Sequence, residues 1–213
     1  MEQTTKKQNT IQYRTIQPSD YEALEKIICD TWNYEKICNQ KTAKILSKVF
    51  LASCLTNQTF TCVALKQDIP VGIIMGKNEK THHMQIRYAW RQFAAIVEIL
   101  VRKEGRRVLK IFEMFKHINQ DLYRESGKEF DGELAFFAID SRARGAGVGK
   151  ELFHRLQNYM QSQNISDFYL YTDITCNYGF YEHQGMRRMC EKKYSPAAYT
   201  NKEMSFFLYA YEG

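Results

Sequence analysis

Three glycines, Gly145, Gly147 and Gly149, fall within five positions, and the helix-like stretch "GKELFHRLQNYMQSQ" starts on the last of them. Glycine is a poor helix former, so three of them at a helix start need a reason. They let a backbone turn sharply and approach a ligand closely. The unpaired N–H groups and the dipole of a helix start favour a bound anion, phosphate above all. Two phosphate loops fail on spacing. A triphosphate loop of the form G-x-x-x-x-G-K-[ST] would need glycine where Arg144 stands and Ser or Thr where Glu151 stands. A G-x-G-x-x-G dinucleotide fingerprint begun at Gly145 or Gly147 lacks its third glycine.

The pattern that fits is [QR]-x-x-G-x-[GA], read as Arg144, Gly147 and Gly149, and a second time as Arg142, Gly145 and Gly147. The strand-like "ELAFFAID" precedes it. About thirty residues on, "NYGFYEHQGM" carries a Phe-Tyr-Glu run that ends in glycine. With these surroundings, residues 131–190 resemble the GNAT family of N-acetyltransferases, whose cofactor-binding motif has this form. The N-terminal half is similar only in its order of strands and helices. Two positions depart from the family pattern: Met186 stands where Phe is usual, and Ser141 follows Asp140 where Pro is common. A plain strand-to-helix turn is the alternative, and it needs one glycine rather than three with an arginine in register.

The resemblance implies acetyl transfer from acetyl-CoA to an amine. It assigns the cofactor diphosphate to Arg144, Gly145, Ala146, Gly147, Val148, Gly149 and Lys150 at the helix start. It assigns the pantetheine arm to the backbone of Phe137, Ala138 and Ile139, on a strand that splays from its neighbour, with Asn177 as a further contact or a helix cap. An amide near Ile139 is placed to polarise the thioester carbonyl. An acceptor ammonium has a pKa near 10, so a base raises its reactive fraction. Glu133, at the start of the cofactor strand, is the first candidate, with a solvated strand-end carboxylate as the bland alternative. Asp173 is held in reserve. Tyr181 occupies the place of the motif's acid, which protonates the departing thiolate, unless it is one more core tyrosine. Direct attack by the amine needs no protein nucleophile, neither Cys176 nor any histidine. A non-catalytic CoA-binding module would keep the glycine loop and need neither Glu133 nor Tyr181.

Those residues must be held by a mixed set of elements. Periodicity predicts strands at 11–17, 60–65, 71–76, 132–140, 167–173, 187–194 and 203–211, and helices over 18–32, 41–57 and 149–163, with a short helix or turn at 177–185. Ser19 or Asp20 is the expected cap of the first helix, and "KQDIP" a hairpin turn. Residues 80–128 interrupt this order as a helical insertion before the cofactor strand. One apolar stripe there runs through Trp90, Phe93, Ala94, Val97, Leu100 and Val101. A second runs through Val108, Ile111, Phe112, Phe115, Ile118 and Leu122. Both stripes are expected to pack on the domain or on each other; an oligomer surface or a lid over a pocket is the alternative. The fold class is α/β (α+β): a flexible tail at 1–10, then one GNAT-like domain at 11–213 with a central, mixed, mostly antiparallel sheet flanked by helices.

Composition narrows the rest. The chain has 213 residues, 44% of them hydrophobic, enough for a sizeable core. Its six cysteines form no CxxC pair and its start has no apolar signal region, which points to free thiols in a reducing cytoplasm. No stretch is long and apolar enough for a membrane span, and His82–His83 is the lone short-spaced pair of metal-type ligands, so no metal and no membrane are expected. Residues 80–110 hold eight basic residues against Glu98 and Glu104, an excess of six that equals the net charge of the whole chain. A solvated helix face is the ordinary reading. If that face borders the pocket, it suits an amine carrying carboxylate or phosphate. No nucleic-acid motif accompanies it. The expected partners are a small-molecule or peptide amine, with a homodimer left open.

Overall fold

The computed structural model describes residues 10–195 and 203–213, so the expected tail lies, apart from Thr10, outside the described residues. Apolar runs buried on both faces in β2, β3 and β7, and alternating burial in β4, mark the seven strands among the described residues: β1 (Ile11–Arg14), β2 (Phe60–Lys66), β3 (Ile69–Asn78), β4 (Gly132–Ile139), β5 (Asp167–Asp173), β6 (Arg187–Tyr194) and β7 (Met204–Glu212). They form one sheet in the order β1-β2-β3-β4-β5-β7-β6. Every neighbouring pair is antiparallel except β4 and β5. Gln67 and Asp68, with φ of 54° and 62°, close the β2–β3 hairpin as both central residues of a left-handed turn.

Among the described residues six α-helices flank the sheet: α1 (Tyr21–Thr31), α2 (Gln40–Thr56), α3 (Ile86–Leu100), α4 (Lys103–Glu125), α5 (Val148–Ser162) and the single turn α6 (Gly179–His183). α1 to α4 cover one face of the sheet, and α5 covers the other with residues such as Val148, Leu152, Phe153 and Leu156. This is the mixed, mostly antiparallel architecture expected from the sequence. β1 is shorter than expected because Asp20 pulls the chain into a turn. Its carboxylate accepts both nitrogens of Arg14, at 2.7 and 2.8 Å, and the Gln17 N–H at 2.7 Å, so it makes no side-chain cap to α1. Asn39 does cap α2, accepting the Thr42 N–H at 3.0 Å.

The two stripes of the 80–128 segment part ways. Val108, Ile111, Ile118 and Leu122 of α4 are buried, and α4 runs over two core clusters on the same face. Phe112 joins the β1–β4 side beside Tyr34 and Phe50, and Phe115 stacks at 5.4 Å on Phe206 of β7. On α3 the expected stripe faces outward: Trp90, Phe93, Val97, Leu100 and Val101 are exposed, and Tyr88, Ala95 and Ile99 are buried instead. The choice of face follows from polar anchors. Arg91 donates to the buried Glu25 of α1 at 2.6 Å, and the Thr56 hydroxyl of α2 meets Gln92 at 3.3 Å. Removing either partner of a buried ion pair is costly, so these contacts fix which side of α3 turns inward.

Candidate active site

β4 makes the site by leaving its neighbour. It pairs with β5 only at Gly132–Phe168 and Glu133–Tyr169. From Leu134 to Ile139 its β5-facing edge has no strand partner, and β5 from Leu170 to Asp173 pairs with β7 alone. A wedge-shaped gap therefore opens in the middle of the sheet, walled by backbone amides that no strand satisfies. A bulge sharpens it. Met75 pairs with Phe136 and Gly76 with Leu134, which leaves Ala135 without a partner. The extra residue reverses the alternation: Leu134 joins the α5 side, and Phe136 the α1–α4 side.

At the open end of the gap lies the glycine loop. Gly145 and Gly147 have φ of 78° and 77°, with open space above both Cα atoms. Gly147 is the N-cap of α5 and offers no side chain to it. Among the described residues, none of the N–H groups from Gly145 to Lys150 donates to a protein acceptor; the first bond of the helix start is Glu151 N–H to the Gly147 carbonyl at 3.1 Å. Six consecutive donors at a helix N-terminus make an anion cradle. The two possible arginine registers also separate. Arg142 is held by Asp140, with Nε–Oδ1 at 3.0 Å and Nη2–Oδ2 at 2.6 Å, whereas Arg144 is exposed and makes no ion pair among the described residues. Beside the loop is a groove of about 380 Å³ lined by Gly147, Lys150, Glu151, His154, Gln157 and Gln184.

Gly149 is a junction of three elements. A Cβ there would lie 2.8 Å from Ile139 Cδ1, 3.5 Å from Phe137 Cζ and 3.5 Å from Phe180 Cε2. α5, β4 and α6 therefore meet around the one position that carries no side chain. Phe137 in turn packs on Phe180 at 5.4 Å and on Tyr181 at 6.4 Å. Burial, and secondarily Cys176, holds the Tyr181 hydroxyl well above its ordinary range, so it keeps its proton. It makes no hydrogen bond among the described residues. The next residue anchors the turn: Tyr209 donates to Glu182 at 2.6 Å, and Arg188 Nε donates to the Tyr209 hydroxyl at 3.0 Å. Arg188 also lies 4.1 Å over the Phe207 ring. Asn177 is exposed and does not cap α6, whose N-cap is Tyr178.

Glu133 lies across the sheet from Tyr181, where β4 and β5 are last paired. Burial pushes its carboxyl up to about 7, Lys77 opposes the rise, Glu79 adds to it and the Tyr169 hydroxyl opposes it. Lys77 and Glu79 are themselves paired at 2.6 Å, and the Tyr169 hydroxyl is 3.3 Å from Glu79. Cys54 of α2, beside Glu133, is pushed up to about 12, first by burial. Asp173 is occupied elsewhere, accepting the Thr175 N–H at 2.7 Å and its hydroxyl at 2.5 Å in the loop before α6. α4 crosses over the gap on the Glu133 side, from Phe112 near β4 to Phe115 on β7, so aromatic side chains rather than its basic residues face the sheet there. Arg106 is exposed and bonds the Leu100 carbonyl at 2.8 Å.

A sequence model described as the Acetyltransferase (GNAT) family matches residues 113–186, which take in β4, the glycine loop, α5 and α6. Over those residues the chain is similar to the GNAT acetyltransferases. No curated protein sequence matches it. Solved structures share the GNAT fold over nearly the whole chain. Arylalkylamine N-acetyltransferase 2 from Aedes aegypti superimposes with a TM-score of 0.62 at 15% identity, covering 96% of this chain and 99% of that one. The ribosomal-protein-S18-alanine N-acetyltransferase from Escherichia coli gives 0.53 at 11%, covering 95% and 94%. An N-acetyltransferase from Staphylococcus aureus Mu50 gives 0.54 at 12%, covering 95% and 98%. At these identities the likeness is one of fold. Among the described residues no helix is long and apolar enough to cross a membrane, and no three His, Cys, Asp or Glu side chains cluster as metal ligands.

The residues predicted from the GNAT motif fall into two groups on the two sides of the gap. Phe137, Ile139, Gly149 and Tyr181 converge on the α5 side, with Arg144 to Lys150 at its open end, whereas Glu133 faces α2 and β5. Sequence reasoning missed the Arg188–Tyr209–Glu182 anchor and the Lys77–Glu79–Tyr169 group around Glu133. The alternation in "DFYLYTD" already set Tyr169 and Tyr171 on one face; what it lacked was the strand beside them.

Proposed function

We infer that the chain transfers the acetyl group of acetyl-CoA to a primary amine of a small molecule, by direct attack and without a covalent enzyme intermediate. One observation carries the reading: the gap between β4 and β5 ends at six unpaired backbone donors. The backbone groups of Phe137 and Ile139 would hold an extended amide chain along the free edge of β4, with Ala138 between them bonded to β3. The N–H groups from Gly145 to Lys150, with Arg144 beside them, would hold a diphosphate. Bound there, acetyl-CoA supplies an activated acyl group and a thiolate leaving group.

The chain's own residues do the rest. Glu133, with its carboxyl near neutrality, is suited to take a proton from an ammonium at physiological pH, directly or through water. Tyr181 keeps its proton and offers a free hydroxyl on the α5 side, where a departing thiolate needs a hydrogen bond. Asn177 is left free of capping to meet the cofactor arm. Asp173 is committed to its loop and drops behind Glu133 as the base. The aromatic underside of α4 closes the acceptor side of the gap, which supports a small amine over a folded peptide segment. The related folds include both kinds of enzyme by name, so fold alone does not choose.

Release of free thiol from acetyl-CoA, read across a panel of small primary amines and N-terminal or lysine peptides, tests this. Turnover on a small amine is expected. Turnover on peptides alone would overturn the acceptor, and binding of acetyl-CoA without turnover on either would make the chain a CoA-binding module.

A further inference from the structure

Among the described residues ten large apolar side chains are exposed, and seven of them lie between Met84 and Val101. Met84, Ile86, Trp90, Phe93, Val97, Leu100 and Val101 leave between 45 and 75% of their surface free. Single exposed apolar residues are ordinary, but a contiguous patch of this kind marks an interaction surface. Its pattern says what it meets. Ile86, Trp90, Phe93, Val97 and Leu100 are spaced four, three, four and three residues apart. That is the seam spacing of a helix that packs along another helix. The residues beside the seam are Ala89, Ala94 and Ile96, which add no charge and let a second backbone come close.

We propose that α3 is a dimer interface, and that its occupant is α3 of a second copy of this chain, running antiparallel about a two-fold axis between Gln92 and Phe93. Such an interface is self-complementary: each residue meets its mirror position in the other copy. With the axis between Gln92 and Phe93, Met84 lies opposite Val101 of the second copy, Ile86 comes within one residue of Leu100, and the large rings of Trp90 and Phe93 fill the centre. Aromatic anchors at the centre with aliphatic ends is the usual arrangement of a strong interface. Charge supports the same register. Arg87 and Glu98 lie on one flank of α3, equally far from that axis, so each copy sets its Arg87 against the other's Glu98. The patch also meets the size required: a specific interface takes roughly 800 Å² from each partner, and seven such side chains with their rims are of that order. The opposite face of α3 is tied into the fold through Arg91 and Glu25, so the seam is presented on a fixed helix.

Sedimentation of the full chain across a range of concentrations tests the proposal. The wild type is expected to be a dimer. Trp90→Glu and Phe93→Glu, both at exposed positions and therefore neutral for folding, should raise the dimer dissociation constant by about thirtyfold or more. Arg87→Glu and Glu98→Arg should each weaken the dimer a few-fold, and the two together should restore it. A monomeric wild type, a dimer indifferent to Trp90→Glu, or charge changes that fail to rescue each other would overturn it. So would a monomer that binds phosphatidylserine vesicles through Trp90, because the patch would then dock on an anionic lipid surface.

Discussion

Glu133 and Tyr169 are the last residues paired across β4 and β5, and everything beyond them on β4 faces an open edge. The same pair marks where a carboxyl near pKa 7 sits at the closed end of the gap. Burial raises a carboxyl there toward the range of a general base.

Acidity gives the first prediction. For a base that must lose its proton, kcat/KM should rise with pH and level off above about 7, the value set for Glu133. Glu133→Gln should remove that limb and lower the plateau by about a hundredfold. Stability should move the opposite way. The folded carboxyl holds a proton that the unfolded chain releases, so the fold loses stability as pH rises from 4.5 to about 7, by about 3 kcal/mol at most. Glu133→Gln carries no charge, so its melting temperature should not share that fall. Identical melting profiles for the two proteins would refute the assignment.

Tyr181→Phe removes a hydroxyl that bonds to nothing among the described residues and keeps the ring on Phe137. It should leave melting temperature and acetyl-CoA affinity unchanged and lower kcat by about tenfold or more. Isothermal titration and steady-state thiol release separate the two effects. A drop in affinity with kcat intact would make Tyr181 a binding residue.

Gly149→Ala and Gly145→Ala should differ in kind. At Gly149 a methyl group collides with Ile139 and has the Phe137 and Phe180 rings behind it, so the cost is overpacking, about 1–3 kcal/mol in urea unfolding. At Gly145 the methyl group meets open space but a φ of 78°, so the cost is backbone strain of about 1 kcal/mol. Only the first should push α5 off β4; the second should weaken acetyl-CoA binding through the loop backbone while α5 stays in place.

Reversing Arg106 and Arg107 to Glu should leave the acceptor KM within about twofold of wild type. These residues lie on the outer side of α4, and surface charges so placed act weakly through water. A large rise in KM would return the basic face to the pocket and favour an anionic acceptor.

The place of the loop in the fold was legible because its residues are contiguous: an arginine, spaced glycines, a strand before and an aromatic turn after. The same periodicity argument misread α3. Apolar residues at Trp90, Phe93 and Val97 do mark one helix face, but Tyr88, Ala95 and Ile99 mark another. Which one turns inward was decided by Arg91 finding Glu25 from 66 positions away, a pairing no local pattern contains. Asp20 was misread for a similar reason, since Arg14 and the Gln17 amide outbid the helix for its oxygens. The bulge at Ala135 left no mark on a stretch that alternates well on either side of it.

α4 joins what β4 and β5 leave apart. With two paired positions between them, strands β1–β4 and strands β5–β7 are close to two separate sheets, and the buried residues of α4 contribute to the cores of both. The segment at 80–128 is thus not an ornament that protein engineering could trim. A chain shortened from β3 straight to β4 would lose the brace on one face of its midline, leaving the core under α5 alone to hold the two halves together.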